Sequence, residues 1–505
     1  MDATAPTRWV KVLDQTKCIG CHACTTACKA ENDVPLGVTR TYVKSVDVGT
    51  FPAARRAFQV TRCNQCDDPP CVAACPTAAM YQRPDGIVDF DKSVCIGCKA
   101  CMAACPYDAI FINPADHSAE KCNFCAHRLE VGLEPSCVVV CPTGAIVVGD
   151  LFDPGSAVAR LVGRSPMSVR RPEKGTGPAV FYRGADLATL DPLAAARPTG
   201  GIYAWAGQGT PGRRHVPGGH PRRHNSTAAA VVSYDVAHEA PWGWRVSLYT
   251  WTKGLAAGTY LAALVLVLAG RLRWSSGTYG DVAPAVALAM LAATGGLLVW
   301  DLKHPRRFWM LFARPQWRSW LVRGGVIITA YGAVLVAALV TAAWGSVTGE
   351  QVVAGAGLPL GVLTAAYTAY LLAQARGRDL WQSQLLAPHL VVQALVLGAG
   401  VVLLATGASG RTGTGAGDLL AAAAALHLTM VAGEVTPRHP TAHARLAVEE
   451  MVRGRFAAFF WAGIALVAAA VAAPWIGIAA APCAFVGVAC HEHAYVQAAQ
   501  AVPLA

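Results

Sequence analysis

Sixteen of the 18 cysteines of this chain fall between Cys18 and Cys141, in four short runs, and any fold must bring those thiols to terms with one another. Cys18, Cys21, Cys24 and Cys28 stand in CIGCHACTTAC, and Cys95, Cys98, Cys101 and Cys105 in CIGCKACMAACP, both spaced C-x2-C-x2-C-x3-C. The second run, Cys63, Cys66, Cys71 and Cys75, widens the middle gap to four residues; the fourth, Cys122, Cys125, Cys137 and Cys141, widens it to eleven. Three thiolates at i, i+3 and i+6 on a tight loop can grip three irons of a 4Fe-4S cubane, and the fourth iron needs a thiolate from elsewhere. Zinc also uses C-x2-C pairs, but its pairs are normally separated by a loop, whereas here four ligands crowd into eleven residues. The repeats CPTAAM, CPYDAI and CPTGAI, each opening on the last Cys of a run, mark one structural unit recurring. Lys29 replaces the proline in the first run.

Such cysteine density means a disulfide scaffold in small secreted domains. Here the N-terminus MDATAPTRWVKVLDQTKC has neither an apolar signal core nor a twin-arginine signal, so a reducing compartment and metal-ligating thiolates are expected. The rest of the sequence is of another kind. Of 505 residues 54% are hydrophobic and only 14% charged, and the apolar ones gather after about residue 240. Windows of membrane-spanning length centre on 248–270, 281–300, 324–344, 352–373, 385–406, 417–433, 455–473 and 475–493. The fold expected is an α+β duplicated ferredoxin-like iron–sulfur domain over 1–153, a Pro/Gly/Arg-rich linker or strap over 154–240, and an all-α bundle of about eight transmembrane helices over 241–505. Within the strap, GRRHVPGGHPRRHNS is the most biased stretch, while KGTGPAVFYRG and GGIYAWAG hold aromatic residues that must pack somewhere.

The net charge of +11 arises in the strap and the inter-helix loops, not in a basic face interleaved with aromatics, so nucleic-acid binding is excluded. Loops on the N-terminal side carry Lys303, Arg306, Arg307, Arg314, Arg318, Arg323, Arg376, Arg378, Arg438, Arg445, Arg453 and Arg455, against Arg271, Arg273 and Arg411 opposite. That bias predicts a multi-pass protein of the cytoplasmic membrane with the iron–sulfur domain on the cytoplasmic side. The polar side chains of the helices sit at the same end. Tyr249, Lys253, Asp301, His304, His427, Glu434 and Glu492 are the candidate quinone and proton-handling residues, because a quinone's two oxygens exchange protons as electrons move and ionisable groups at membrane depth usually serve function. His389, Gln393, His491, His493 and Gln497 lie at that end too. Trp251, Tyr367 and Tyr370 read as interface anchors, and Cys483 and Cys490 as packing residues. Gly254 with Gly258, and Gly357 with Gly361, could bring helices close.

Residues 8 to 153 resemble the four-cluster subunits of molybdopterin oxidoreductases, such as polysulfide, thiosulfate and dimethyl-sulfoxide reductases and formate dehydrogenases. That resemblance implies four 4Fe-4S clusters with crossed ligands: Cys18, Cys21, Cys24 with Cys141; Cys122, Cys125, Cys137 with Cys28; Cys63, Cys66, Cys71 with Cys105; and Cys95, Cys98, Cys101 with Cys75. A second likeness covers 241 to 505. WDLKHPRRFWMLFARPQWRSW is similar to the signature loop of NrfD-type polysulfide-reductase membrane subunits, with His304 where many have Arg; PWGWRVSLYTWTKGLAAG and HEHAYVQAAQAVPL are similar to that family as well. It implies an eight-helix module with a quinone site at the cluster-facing ends of the helices.

No molybdopterin- or nucleotide-binding signature occurs in the sequence, so substrate chemistry is expected in a separate catalytic partner. The function expected is passage of electrons between that partner, of molybdopterin type, and menaquinone or ubiquinone, which makes this a quinone oxidoreductase subunit with no substrate chemistry of its own. Two alternatives are the same wiring for a membrane hydrogenase and a redox-driven proton-translocating module, the latter disfavoured by the scarcity of ionisable residues in the distal halves of the spans.

Overall fold

The computed structural model describes residues 7–49, 52–197, 230–408, 410 and 413–505. GRRHVPGGHPRRHNS, GGIYAWAG and Arg411 lie outside them. In the N-terminal half the strands are β1 (Trp9–Asp14), β2 (Thr41–Val48), β3 (Arg55–Arg62), β4 (Met80–Gln82), β5 (Val88–Phe90), β6 (Ile110–Ile112), β7 (Ala119–Lys121), β8 (Ile146–Asp150), β9 (Met167–Ser168), β10 (Val180–Arg183) and β11 (Ala230–Tyr234). They form one sheet in the order β8-β1-β10-β9, a second in the order β11-β2-β3, and two antiparallel ribbons, β4–β5 and β6–β7.

The Cys-Pro repeats explain this layout. After Cys75, Cys105 and Cys141 the proline stops the preceding helix, and the third residue on, Ala78, Asp108 or Gly144, takes a left-handed φ of 55°, 51° or 60°. The backbone thereby reverses into β4, β6 or β8. Three times the same local chemistry makes the same turn, which is the duplication seen in the sequence.

The segment expected as a strap is more ordered than its composition suggests. Within it β10 pairs parallel with β1, Lys11 opposite Val180 through Asp14 opposite Arg183, because Val180 and Tyr182 are fully buried on one face of an alternating strand. On its far side β11 pairs antiparallel with β2, Ala230 opposite Val48. The strap's described parts therefore complete both sheets of the iron–sulfur half.

The long helices of the C-terminal half are α1 (Trp244–Leu268), α2 (Ala283–Asp301), α3 (Trp320–Ala343), α4 (Val347–Ala373), α5 (Leu386–Ala408), α6 (Ala416–Val435), α7 (Ala442–Val452), α8 (Ala457–Ala470) and α9 (Ala480–Ala501). Among the described residues seven helices are long and apolar enough to cross a membrane, or up to eight if α7 and α8, bent by 69° at a short break, count as one span. The bend falls at Arg453-Gly454-Arg455. α7, with Arg445, Glu449 and Glu450, is too polar for lipid and packs its Leu446, Ala447 and Met451 against the C-terminal end of α9. α1 is the enclosed centre of the bundle. A Cβ on Gly258 would meet the Ala394 carbonyl oxygen of α5 at 1.7 Å, so backbones approach closely there, whereas Gly357 and Gly361 of α4 make room for the side chains of Tyr260 and Leu261, a Cβ on Gly357 meeting the Tyr260 ring at 2.6 Å.

Candidate functional site

The opening C-x-x-C loop of each run places its second intervening residue in the left-handed region: Gly20 and Gly97 in the first and third runs, Gln65 and Phe124 in the others. This tight turn points the thiols inward, and four groups result. Cys18, Cys21, Cys24 and Cys141 line one small cavity, and Cys75, Cys95, Cys98 and Cys101 line another. Cys28 interacts with Cys122, Cys125 and Cys137, and the Asn32 amide lies 3.7 Å from the Cys28 sulfur and 3.8 Å from that of Cys125. Cys71 interacts with Cys63, Cys66 and Cys105. Every group takes three cysteines from one run and one from another.

The donor set fits a cubane better than zinc. Tetrahedral zinc–thiolate bonds of about 2.3 Å hold sulfurs about 3.8 Å apart, yet among the described residues no three cysteine sulfurs lie within 4.8 Å of one another. Burial and neighbouring thiols push Cys28 up to about 12, so such groups cannot stay ionised together without a cationic core. At Cys137 burial acts the same way, but Lys11 and Arg62, 3.7 and 3.3 Å from its sulfur, bring it down to about 7. Backbone N–H groups of Met80, Ala119 and Ala145 donate to the sulfurs of Cys75, Cys95 and Cys141.

The group around Cys75 and Cys98 faces the helical bundle. The loop after α2 lies on it: Lys303 N–H donates to Gly97 (3.3 Å), His304 N–H to Ile96 (3.2 Å), and Arg307 to the Lys92 and Cys95 carbonyls (2.9 and 3.0 Å). Gly97 has φ +68°, and a Cβ there would sit 2.4 Å from that of Lys303. Asp301 pairs with Lys99 at 2.9 Å, and His304 Nε2 lies 3.2 Å from Ser118. Both stand at the join between the bundle and the cluster-bearing half, Asp301 near enough to the buried Tyr249 to act on it electrostatically. A helix-end residue can turn inward or toward a domain lying over that end, and periodicity does not distinguish the two.

The other candidates gather inside. Thr250, Leu372, Leu386, His389, Leu390, Gln393, His491, Glu492, Tyr495 and Val496 line a cavity among α1, α4, α5 and α9. Thr250 donates to Glu492 at 3.0 Å. Lys253 donates to the Ala365 carbonyl and to Thr368, both at 2.7 Å, with its Nζ 5.0 Å over the ring of Tyr367. Tyr249 is buried beside them. His389 Nδ1 is 3.0 Å from Glu434, and its Nε2 is 2.8 Å from His427 Nδ1. His389, Gln393, His491 and Thr250 were not singled out from sequence, although three of them show as polar residues at the cluster-side helix ends. Tyr367 is buried under Lys253, and Trp251 donates to the Phe485 carbonyl at 2.9 Å, so both serve helix contacts and not the lipid interface; Tyr370, exposed, stacks on Trp320.

An aromatic bridge links cavity and cysteines. Trp242 Nε1 donates to the Cys98 carbonyl at 3.3 Å, and its ring lies 5.7 Å from that of Trp381, which is wholly buried just ahead of α5. Tyr495, on the cavity wall, donates to the carbonyl of Leu380 at 2.9 Å.

The comparisons with known proteins match both halves. Residues 55–151 match the family described as a 4Fe-4S dicluster domain, and residues 233–500 the family described as polysulphide reductase, NrfD. A tetrathionate reductase subunit of Salmonella typhimurium is 45% identical over 194 residues, 37% of this chain and 76% of that protein. The thiosulfate reductase electron transfer subunit of Salmonella typhi is 44% identical over 183 residues, 36% of this chain and 94% of its own length. The arsenate respiratory reductase iron–sulfur subunit of a Shewanella species is 37% identical over 220 residues, covering 34% and 94%. The NrfD match spans more than half of the sequence, and its apolar helices make a multi-pass membrane protein. This chain therefore belongs to the NrfD family of polysulphide-reductase membrane proteins, fused at its N-terminal side to an iron–sulfur electron-transfer subunit of the reductase type.

Proposed function

We propose that the protein carries electrons between a separate catalytic subunit, of molybdopterin type, and the quinone pool of the cytoplasmic membrane, with menaquinone or ubiquinone as the mobile carrier. The observation that carries this reading is the succession of contacts from the Cys98 loop through Trp242 and Trp381 and across the adjoining Leu380 carbonyl to the Tyr495 wall of the polar cavity. Cys18, Cys21, Cys24 and Cys141, and the three corresponding crossed sets, would hold four 4Fe-4S clusters, which when bound supply one-electron transfer. Residues 1–153 form the cluster-bearing domain, 154–240 the strap and 241–505 the quinone-interacting domain, with the cluster side facing the cytoplasm on the strength of its basic loops.

The side chains in the cavity suit a quinone. Leu372, Leu386, Leu390 and Val496 supply an apolar wall for the ring, Gln393 and Glu492 the hydrogen-bonding groups for its oxygens, and His389 a polar edge to the same cavity. Glu492, oriented by Thr250, can hold or release a proton at its carboxylate, and the buried Lys253 supplies compensating positive charge behind it. Glu434 and His427 fix the orientation of His389. Asp301 and His304 keep the post-α2 loop seated on the Cys95–Cys98 turn. The test is a complex purified with its partner and reconstituted with quinone. Glu492→Gln should block quinone turnover while substrate still bleaches the iron–sulfur absorbance; turnover unchanged in Glu492→Gln and His389→Ala would refute the site.

A further inference from the structure

Behind the quinone cavity stand three imidazoles from three different helices: His389 of α5, His427 of α6 and His491 of α9, all buried. One ring nitrogen from each lies within 4.8 Å of the other two, and among the described residues this is the one such group of histidine, cysteine or carboxylate ligands. We propose that these three histidines bind one divalent transition-metal ion of the zinc class, distinct from the iron held by the cysteines.

Hydrogen bonding alone leaves the cluster of rings unexplained. A proton shared between His389 Nε2 and His427 Nδ1 at 2.8 Å satisfies one pair, but His491 Nδ1, buried from solvent, has no partner. A buried nitrogen lone pair without a donor is costly, and a cation is the ligand that uses several such lone pairs at once. Glu434 supplies the second element of a metal site. Its Oε1 lies 3.0 Å from His389 Nδ1, the carboxylate–histidine arrangement that fixes tautomer and ring direction so that the other nitrogen faces a metal. Bonds of about 2.0–2.1 Å to a tetrahedral ion put neighbouring nitrogens about 3.3 Å apart, so the His389–His427 pair need open by only about half an ångström.

The ligand set also chooses the ion. Three neutral imidazoles favour zinc, copper or nickel over magnesium and calcium, which want oxygen ligands. Three protein ligands leave a fourth position, and His389 and His491 both border the cavity that holds Gln393 and Glu492, so that position opens toward the cavity and not toward lipid. Metal binding is read out without quinone, so this inference and the quinone reading can fail separately.

The experiment uses the whole complex, washed with chelator, loaded with zinc and freed of excess. Zinc-edge X-ray absorption should show about one zinc per protein molecule with three imidazole nitrogens at about 2.0–2.1 Å. Loading with Cu2+ instead should give an electron paramagnetic resonance signal split by imidazole nitrogen. Glu434→Gln should weaken zinc binding about 10- to 100-fold, and His427→Ala or His491→Ala should abolish retention at unchanged iron content. Sub-stoichiometric zinc in the wild type, a sulfur-dominated zinc shell, or equal retention in wild type and Glu434→Gln would each overturn the proposal. Should the histidine variants fail to assemble, the wild-type spectrum decides alone.

Discussion

Glu492 occupies the one place where a carboxyl from α9 meets a hydroxyl from α1 on the wall of the polar cavity, 3.0 Å from Thr250. If it passes protons to quinone oxygens, Glu492→Gln lowers steady-state quinone turnover by about 10²-fold or more, the usual weight of a positioned acid–base group. Stopped-flow reduction of the iron–sulfur absorbance by the catalytic partner should not change. Trp242→Leu, which deletes the indole between Cys98 and Trp381, should slow the later step, quinone reduction from pre-reduced clusters, and leave the first untouched. Asp301→Asn tests a distinction that sequence could not make. Asp301 and Glu492 look alike as acidic residues at cluster-side helix ends, but Asp301 pairs with Lys99 across the join and Glu492 faces inward. Lys253, Glu492, His427 and Glu434 were legible because charge inside an apolar helix needs a reason. His389 and His491 were not selected because a histidine's value here lies in which helix it faces, and helix neighbours are set by tertiary packing.

Among the elements, the α1–α5 contact and the Gly97 turn are the least tolerant. Gly258→Leu forces a side chain into the backbone of α5, where even a Cβ meets a carbonyl oxygen at 1.7 Å. Overpacking in a rigid core costs about 1–3 kcal/mol or more, so the variant should lower the thermal unfolding midpoint in detergent or fail to assemble. Gly97→Ala combines a left-handed backbone with collision against Lys303, and should loosen the loop after α2 as read by hydrogen exchange at residues 302–308. The cysteine turns were the most readable elements of the sequence, since spacing dictates what each loop must do. The Cys-Pro repeats likewise announced their shared turn, though Ala78 and Asp108 adopt a left-handed backbone without being glycine. Residues 154–197 were harder, because one alternating strand, VFYR, sits among Pro, Gly and Arg and only its pairing with β1 reveals it. The 69° break between α7 and α8 was hidden for a related reason: apolar windows report hydrophobicity but not direction.

The molecule as a whole depends on the junction between its halves, where His238, just ahead of α1, lies 2.7 Å from Asp108 and 3.2 Å from Asp235. Burial alone would lower His238, but the two carboxylates raise it to about 9 and are themselves held below the ordinary carboxylate range. A raised histidine contributes its stability in full below its unfolded value near 6.5, and that contribution fades as pH climbs through about 9. The junction should therefore loosen between pH 7 and 9.5, by no more than about 3 kcal/mol, measured as hydrogen exchange over residues 235–241. His238→Gln should flatten that dependence. Iron analysis of the intact protein should give about 16 atoms, four for each of four clusters; a count near eight would leave two of the cysteine groups without clusters.

β11 ends at Tyr234, and α1 begins ten residues later at Trp244. The strand that closes the β2–β3 sheet is thus made only moments before the first span, and during synthesis the iron–sulfur half cannot finish its sheet until the polypeptide is on the point of entering the bilayer. A fragment stopped at residue 197 would leave the edge of β2 unpaired and prone to aggregate. Completion of that sheet and entry of the first span are therefore neighbouring events in synthesis, although all sixteen cysteines of the four groups precede both.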